Sequence, residues 1–523
     1  MNRLPPRDCQ TGEQHVDDLR QLVDAQTSKE SAVDAPMMKR ATQAGLEKSW
    51  AAATLFAAAL LLSGAAIYNG YPLLDPDTSG YLRPVNIGYR SFFYSLFLAS
   101  GRLAGSLWLV VFIQSLIEAH LLRLILRVVF GIASAAAFIA ITALLCVLTC
   151  LPWCTGFIMP DVFTSVLVLC FFLLAFCSRR LRPAELGYIF ALTVVAATVH
   201  LSHLPLAVGL LLMTVLVRIA CRKRPQIPPP NLILPALPIA VALLLMMAVN
   251  YFTLGEAAFS VNGYAFQLAR LVADGQAVSY LREACPQRRY ALCEYIDRLP
   301  NDSDEFLWSP DSPFRKVGWF AGYRREGREI VVHTIMRFPL WTLKSALENT
   351  ARQVVEVRTG TGYGFASYKT YGNGNRQNTS DEIRTYFPSE YGAFENSRQS
   401  RGELAHLFNL NRLHRAALIL SFLYDCAMGL LFAKRGRWLQ TELLVTIACA
   451  VLVNSFVSGA LSRPSARYGS RLIWLLSLFA LASYRQAYDL LWPARASSEL
   501  SQSERLTLPV RRSCQTLLRH HRF

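Results

Sequence analysis

The chain has 523 residues, of which 53% are hydrophobic and 17% are charged, and its formal net charge is +17. So few charged residues, together with several apolar runs long enough to cross a bilayer, exclude an ordinary soluble protein. The positive charge does not indicate nucleic-acid binding, because no basic domain with a binding motif stands apart. Basic residues of membrane proteins gather in cytoplasmic loops. We therefore predict an all-α polytopic membrane protein.

Residues 1–48 are polar and contain no apolar run. We expect a cytoplasmic, largely disordered tail, because a cleavable signal peptide needs an apolar core close to its start. Three basic residues just before the first apolar run, Lys39, Arg40 and Lys48, favour an N-terminus inside. The same rule places the basic C-terminal tail, residues 493–523, in the cytoplasm.

Ten apolar stretches are candidates for transmembrane helices. They cover residues 50–69, 104–126, 129–151, 160–178, 184–200, 203–220, 232–252, 412–432, 440–460 and 470–491. With the N-terminus inside, the basic clusters after the even-numbered spans all face the cytoplasm, so ten spans with both ends inside are self-consistent. The fifth and sixth spans are short and could instead form one broken helix, which would invert the topology downstream.

This topology predicts a membrane domain at 49–252 with a first periplasmic loop at 70–103, and C-terminal membrane helices at 412–492. The apolar segment at 91–103 is too short to span and suits a helix lying in the membrane interface. Residues 253–411 form a large extramembrane region, for which we expect a periplasmic α-rich domain.

Within that region, Cys285 and Cys293 predict a disulfide, because we place them in an oxidising compartment. Residues 329–357 predict one amphipathic helix. The glycine-rich segment that begins at Thr359 lacks the lysine of a phosphate-binding loop, and we interpret it as a flexible loop.

The first loop holds two acids, Asp75 and Asp77, and two arginines, Arg83 and Arg90, among prolines that prevent a single helix. A polar, acidic loop beside lipid is costly unless it lines a watery cavity. The alternative is structural, since the sequence DPDTSG is also a good turn and helix cap.

Other ionisable residues map to the same external face. They are Asp161 before the fourth span, His200 and His203 between the fifth and sixth, and Arg463, Arg467 and Arg471 between the ninth and tenth. The acid could merely favour a helix dipole, and the histidines could be core residues, substrate contacts or metal ligands. The arginines recur every four residues, so they would share one helical face suited to a phosphate or pyrophosphate. Contact with lipid headgroups is the alternative.

A carboxylate facing an arginine cluster predicts a reaction class. The acid would deprotonate an acceptor hydroxyl, and the arginines would stabilise a leaving phosphate. This chemistry is glycosyl transfer from a lipid-phosphate sugar. We assign the general base to Asp77, with Asp75 or Asp161 in support. The candidate substrate-binding residues are Arg83, Arg90, Asp161, His200, His203, Arg463, Arg467, Tyr468 and Arg471.

The first span, the acidic loop DPDTSGYL, the segment SFFYSLFL and the large external region resemble the GT-C superfamily of integral-membrane glycosyltransferases. The chain is also similar to bacterial membrane proteins with an NGYPLL…D-[ST]-G-x-Y loop and a late RY-x-x-R-x-x-WL segment, here Asn69–Tyr81 and Arg467–Leu475. The resemblance implies a bacterial inner-membrane enzyme with a periplasmic active face. Its donor would be a polyprenyl-phosphate sugar, its acceptor a lipid or cell-envelope glycan, and its possible metal Mg²⁺ or Mn²⁺.

Three other classes remain open. A transporter or flippase of a lipid-linked sugar usually shows internal pseudo-symmetry, and none is visible here. A membrane acyltransferase would use His200 or His203 as base, but it takes its donor from the cytoplasmic side. A non-catalytic scaffold would use the external region to bind a partner. Replacing Asp77 with asparagine separates these classes, because turnover depends on that acid only in the glycosyltransferase.

Overall fold

The structure, a computed structural model, describes residues 49–359, 374–404 and 410–492. Side chains are described for all of these residues except 374–378. Within these residues the fold is all-helical and no strand forms; Leu73 and Phe157 make an isolated bridge. Both predicted tails and nearly all of the glycine-rich segment lie outside the described residues. The chain divides into two compact units, residues 1–57 and 58–523, and the described part of the first, 49–57, is helical.

Twelve described helices precede the inserted region. They are α1 (Ser49–Leu62), α2 (Gly64–Asn69), α3 (Thr78–Leu82), α4 (Phe92–Phe97), α5 (Ala99–Ala104), α6 (Leu107–Phe130), α7 (Ala135–Leu148), α8 (Leu151–Gly156), α9 (Val162–Phe176), α10 (Pro183–Thr198), α11 (His203–Ala220) and α12 (Ile233–Leu254).

The inserted region and the C-terminal part supply the remaining described helices. They are α13 (Gly263–Ala273), α14 (Gln276–Ala284), α15 (Ser303–Trp308), α16 (Pro313–Lys316), α17 (Trp319–Gly322), α18 (Arg324–Arg337), α19 (Pro339–Val355), α20 (Gly374–Tyr386), α21 (Tyr391–Glu395), α22 (Leu410–Lys434), α23 (Trp438–Leu461) and α24 (Ala466–Leu491).

Helices form at all ten predicted spans. Among the described residues, five are long and apolar enough to cross a membrane, which indicates a membrane protein: α6, α11, α12, α22 and α23. The other predicted spans correspond to shorter apolar helices, or to α24, which is long but carries charged residues in its first two turns. The predicted interfacial segment forms two short helices, α4 and α5.

Helix α9 is the buried centre of the bundle. Its sequence VFTSVLVLCFFLLAF is apolar on every side, as is typical of a helix enclosed by other helices or by lipid. Every residue from Val162 to Ala175 is buried accordingly. Asp161 comes directly before this helix, so the most enclosed element of the fold places a carboxylate at its N-terminal end.

The inserted region has its own hydrophobic core, built on α13, α15 and α18 and centred on side chains such as Leu268, Phe306 and Ile330. Tyr89 of the first loop belongs to it, since its ring stacks on Phe320 with centroids 4.4 Å apart. The first loop and the inserted region are therefore packed as one body.

The predicted disulfide between Cys285 and Cys293 is confirmed, and it connects the end of α14 to the 3₁₀ helix Ala291–Arg298. The single amphipathic helix predicted over 329–357 is wrong, because the helix breaks between α18 and α19 at Phe338. Pro339 follows that residue, and a residue before proline is disfavoured in helical conformation. The break lets α19 turn and lie along α23.

Gly459 allows α19 and α23 to approach. A Cβ atom added there would lie 2.5 Å from the main-chain oxygen of Asn349 in α19, a contact that only a backbone shift can relieve. We expect Gly459→Ala to lower the free energy of unfolding by about 1–3 kcal/mol. Chemical denaturation in detergent would measure it. Gly187→Ala in α10, where an added Cβ meets nothing within 4 Å, is the matched control and should be neutral or stabilising. Equal effects of both variants would contradict this account of the contact.

Candidate functional site

Six charged side chains from distant parts of the sequence meet at one end of the bundle. They are Asp75, Asp77, Arg90, Asp161, Arg467 and Arg471. The first three come from the first loop, the fourth from the start of α9 and the last two from the first turns of α24. Buried charges must be paired, and this cluster matches three carboxylates with three guanidinium groups.

Arg467 is the centre of the cluster. Its Nη1 atom donates to Asp75 Oδ1 at 3.0 Å and to Asp77 Oδ2 at 3.1 Å. Its Nε atom lies 3.7 Å from Asp161 Oδ1. One guanidinium thus joins the two acids of the first loop to the acid of the central helix, and the fixed fork of arginine donors suits such bridging.

The two acids of the first loop, Asp75 and Asp77, make different contacts. Asp75 Oδ1 accepts a hydrogen bond from the backbone N–H of Asp77 at 3.0 Å, which shapes the turn. Asp77 occupies the position before α3, but its side chain makes no cap hydrogen bond and instead pairs with Arg90. The capping alternative therefore does not describe Asp77, whose carboxylate faces two arginines.

The same surroundings shift the pKa values of these two carboxyl groups in opposite directions. Burial raises the pKa of Asp75 to about 6, because Arg467 only partly offsets the lost hydration. Burial also acts to raise the pKa of Asp77, but Arg90 and Arg467 outweigh it and hold that pKa below its ordinary value. Near neutral pH, Asp75 is thus the better proton acceptor and Asp77 the more firmly ionised partner.

Arg471 lies deeper than Arg467 and is 1% exposed. Its Nη1 atom donates to Asp161 Oδ1 at 3.3 Å, and its Nη2 atom donates to Asn454 Oδ1 at 2.7 Å and to Ser202 Oγ at 3.2 Å. Asn454 is not among the residues predicted from the sequence, although an amide inside an apolar span is the available signal. These partners orient the guanidinium toward the cluster.

The ring of Tyr468 lies beside both arginines of α24. The guanidinium carbons of Arg467 and Arg471 lie 5.1 Å and 4.9 Å from the ring centroid. This is cation–π distance, so the aromatic face adds attraction for the two cations. Tyr468 supports the arginines in this conformation.

The two histidines lie next to the cluster, with ring centroids 5.1 Å apart. Both ring nitrogens of His203 are engaged, Nε2 with Thr164 Oγ1 at 2.8 Å and Nδ1 with the Ala196 carbonyl at 2.7 Å. His200 uses Nδ1 to bond Ser202, whose hydroxyl also contacts Arg471. His203 is thus a hydrogen-bonded core residue, whereas His200 connects to the cluster through one hydroxyl.

Two predicted arginines lie outside the cluster. Arg83 pairs with Glu382 of α20 at 2.5 Å, and Arg463 pairs with Asp304 of α15 at 2.7 Å. The prediction that Arg463 shares a helical face with the other two arginines is wrong, because α24 begins only at Ala466. Pro464 follows Arg463 and disfavours helical conformation there. Both arginines instead attach the inserted region to the rest of the fold.

A cavity of about 40 Å³ borders the cluster. Asp75, Asp161, Arg467 and Arg471 line it, and so does Trp153. This volume holds a water molecule or two but no sugar ring, so binding of a larger ligand must widen it.

The acids of the cluster do not fit a divalent cation as they stand. Each of the three carboxylates faces at least one guanidinium group, which would repel and compete with Mg²⁺ or Mn²⁺. Across residues 49–359, 374–404 and 410–492, no three His, Cys, Asp or Glu side chains are placed to hold a metal ion.

Comparisons with known proteins assign no family. No protein-family model matches the chain, and neither the curated proteins nor the solved structures gave a significant match.

Proposed function

We propose that the protein is a membrane glycosyltransferase of the GT-C type, which transfers a sugar from a polyprenyl-phosphate donor to a lipid or cell-envelope glycan. The observation that carries the proposal is the charge cluster, in which three separate chain segments bring carboxylates and arginines to one cavity. Four of the six charged side chains line the cavity, and ionisable groups gathered at membrane depth are candidates for a functional site by default.

The chemistry assigns each group a step. A carboxylate accepts the proton of the acceptor hydroxyl, and the hydroxyl oxygen then attacks the anomeric carbon of the donor sugar. The bond from that carbon to the phosphate oxygen breaks, and the lipid phosphate leaves with the electron pair. Arginine side chains stabilise the negative charge that develops on it.

Both loop acids are candidates for the base. The sequence-based hypothesis assigns this role to Asp77. The contacts favour Asp75, because it lines the cavity and pairs among the described residues with Arg467 alone, whereas Asp77 pairs with both Arg90 and Arg467. In this assignment Asp77 holds the arginines in place.

The proposed topology has ten spans with both ends in the cytoplasm, and the active face lies on the periplasmic side of a bacterial inner membrane. The disulfide of the inserted region supports an oxidising compartment for that side. The disulfide and the cluster lie on the same side in this topology, so the donor would be a lipid carrier and not a cytoplasmic nucleotide sugar.

The test is sugar transfer by purified protein in liposomes, with a panel of polyprenyl-phosphate sugars and nucleotide sugars as donors. We expect product from a polyprenyl-phosphate sugar only, and much less product from Asp77→Asn although that variant still binds the donor. Asp297→Asn, at an acid 92% exposed, is the matched control and should retain turnover. Absence of turnover and donor binding in a well-folded wild-type protein would refute the proposal.

A transporter of a lipid-linked sugar is the second candidate, and two acids inside predicted spans favour it. Glu118 of α6 and Asp425 of α22 are buried, and among the described residues Glu118 Oε1 and both Asp425 carboxylate oxygens have no hydrogen-bond partner. Intramembrane acids commonly mark ion pathways. In the same liposomes, movement of the labelled donor across the bilayer without product would favour this candidate.

A further inference from the structure

A second cavity meets the one beside the charge cluster. It measures about 20 Å³ and lies between α7, α22 and α24, where its apolar lining includes Leu148, Leu418 and Ile473. The two cavities share Cys150, Arg358 and Thr359 in their walls. The inner cavity beside the buried acids and the outer one, an apolar groove between α7, α22 and α24, are therefore neighbours, and Arg358 lies at the junction between them.

The arginines of the cluster cannot readily serve an additional anion. Arg90, Arg467 and Arg471 already match three carboxylates within hydrogen-bond or ion-pair distance. A bound phosphate would compete with those acids for the same donors and would add negative charge to a balanced site. Other cations must supply the attraction if an anionic group binds here.

Arg358 and Arg415 are placed to supply it. Both are exposed and both line the outer cavity, and Arg358 also lines the inner one. In the described part of the chain, no ion pair joins either guanidinium to a carboxylate. These two side chains are available for a ligand, unlike the cations of the cluster.

The backbone that carries Arg358 is fixed from both sides. Ser470 Oγ of α24 donates to the Arg358 carbonyl at 2.8 Å. The next residue, Thr359, is held by Asn411 through two hydrogen bonds of 2.7 Å and 3.2 Å, and by His414 Nδ1 at 2.8 Å. A rigid backbone beside a free guanidinium is the arrangement of a preorganised anion site.

Buried polar atoms along both cavities point to a ligand. Among the described residues, Arg471 Nε and Asp161 Oδ2 at the inner cavity have no hydrogen-bond partner, and neither has Trp474 Nε1 at the outer one. They are three of fourteen such atoms in the described residues, and they belong to residues that line the two cavities, where a ligand can reach them.

We propose that the junction binds the phosphate of a prenyl phosphate on Arg358 and Arg415, with the isoprenoid chain in the outer groove between α7, α22 and α24. This placement rests on the proposed function and deepens it, because it leaves the cluster arginines to organise the acids. The sugar attached to the phosphate would then project into the inner cavity, toward Asp75, and both cavities would widen to admit the ligand.

The experiment measures equilibrium binding of radiolabelled farnesyl phosphate to the full-length protein in nanodiscs of zwitterionic lipid. We expect Arg358→Gln and Arg415→Gln each to weaken binding about tenfold or more, since each removes a charge-assisted hydrogen bond. Farnesol, which lacks the phosphate, should bind weakly to the wild type and be insensitive to both changes. Leu418→Trp should weaken both ligands by filling the groove.

Two controls lie on α22 itself and line neither cavity, Arg412→Gln and Leu423→Trp, and both should bind like the wild type. If Arg412→Gln weakens binding of farnesyl phosphate as much as Arg358→Gln does, the attraction is a general electrostatic one, and the proposal is overturned. Full competition by phosphatidylglycerol nanodiscs would also overturn it, because the ligand would then be a bulk lipid headgroup. Binding with the expected pattern but no sugar transfer would refute the proposed function alone. Transfer that survives Arg358→Gln and Arg415→Gln unchanged would refute the phosphate site alone.

Discussion

Replacing Arg467 with glutamine is expected to lower the free energy of unfolding by about 3 kcal/mol or more, because removal of one partner leaves buried charges uncompensated. Arg467 is the only contact that joins Asp75 and Asp161 among the ion pairs of the described residues. Glutamine retains a side-chain amide but loses the charge. Denaturant titration of the detergent-solubilised protein measures the effect.

Acid pH should partly rescue this variant. The pKa of Asp75 is already raised to about 6 in the folded protein, and loss of Arg467 removes the main contact that lowers it. A carboxyl with a higher pKa in the folded than in the unfolded state favours folding below the unfolded pKa, and this contribution is lost as pH rises through the folded pKa. The stability deficit should therefore shrink as pH falls from 7 toward 5.

Arg463→Gln is the matched control, since Arg463 lies four residues earlier and its ion pair with Asp304 is partly exposed. Exposed pairs contribute about 1 kcal/mol or less. If Arg467→Gln lowers the free energy of unfolding no more than the control does, and if its effect does not change with pH, then Arg467 does not stabilise the cluster.

The second large effect concerns the loop acids. We expect Asp75→Asn to reduce turnover by about 100- to 10,000-fold, the range typical for loss of a general base. With Asp75 as base, kcat/KM of the wild type should fall tenfold per pH unit below about pH 6, where that carboxyl becomes protonated. Sugar transfer measured from pH 4.5 to 8 would give the profile.

The profile distinguishes the two acids. The pKa of Asp77 lies below its ordinary value, so a base at Asp77 predicts a rate that stays level down to pH 4.5. Asp77→Asn removes a partner of Arg90 and Arg467. With Asp75 as base, this variant should lower the rate at every pH but leave unchanged the pH at which the rate begins to fall. A level wild-type profile would return the base to Asp77, as the sequence first indicated.

Much of the fold follows from local pattern. Apolar runs of helical length place their helices within a few residues, as with the prediction of 412–432 for α22 and 104–126 for α6. The disulfide partners followed from their place in a polar segment that we assign to an oxidising compartment. The wrong predictions also have local causes. The helical pattern of the sequence continues across Pro339 and Pro464, whereas the helices α19 and α24 begin only at or after these prolines.

The site was predictable as a set of residues but not as a set of contacts. Topology placed Asp75, Asp161 and Arg467 on one face, and the structure brings them within ion-pair distance. No one-dimensional pattern tells which arginine meets which acid. Arg358 is invisible in the sequence, because its position depends on hydrogen bonds to Ser470 and on the neighbouring contacts of α22.

Tyr89 and Arg90 are neighbours in the chain with separate surroundings. The tyrosine ring lies in the aromatic core of the inserted region, while the arginine pairs with Asp77 and its guanidinium lies 5.4 Å from the ring of Trp308. A tilt of the inserted region would move the ring of Tyr89 and, through the next peptide bond, the guanidinium of Arg90 relative to Asp77. We therefore expect a molecule that binds to the inserted region to change the charge balance between Arg90 and the acids of the cluster.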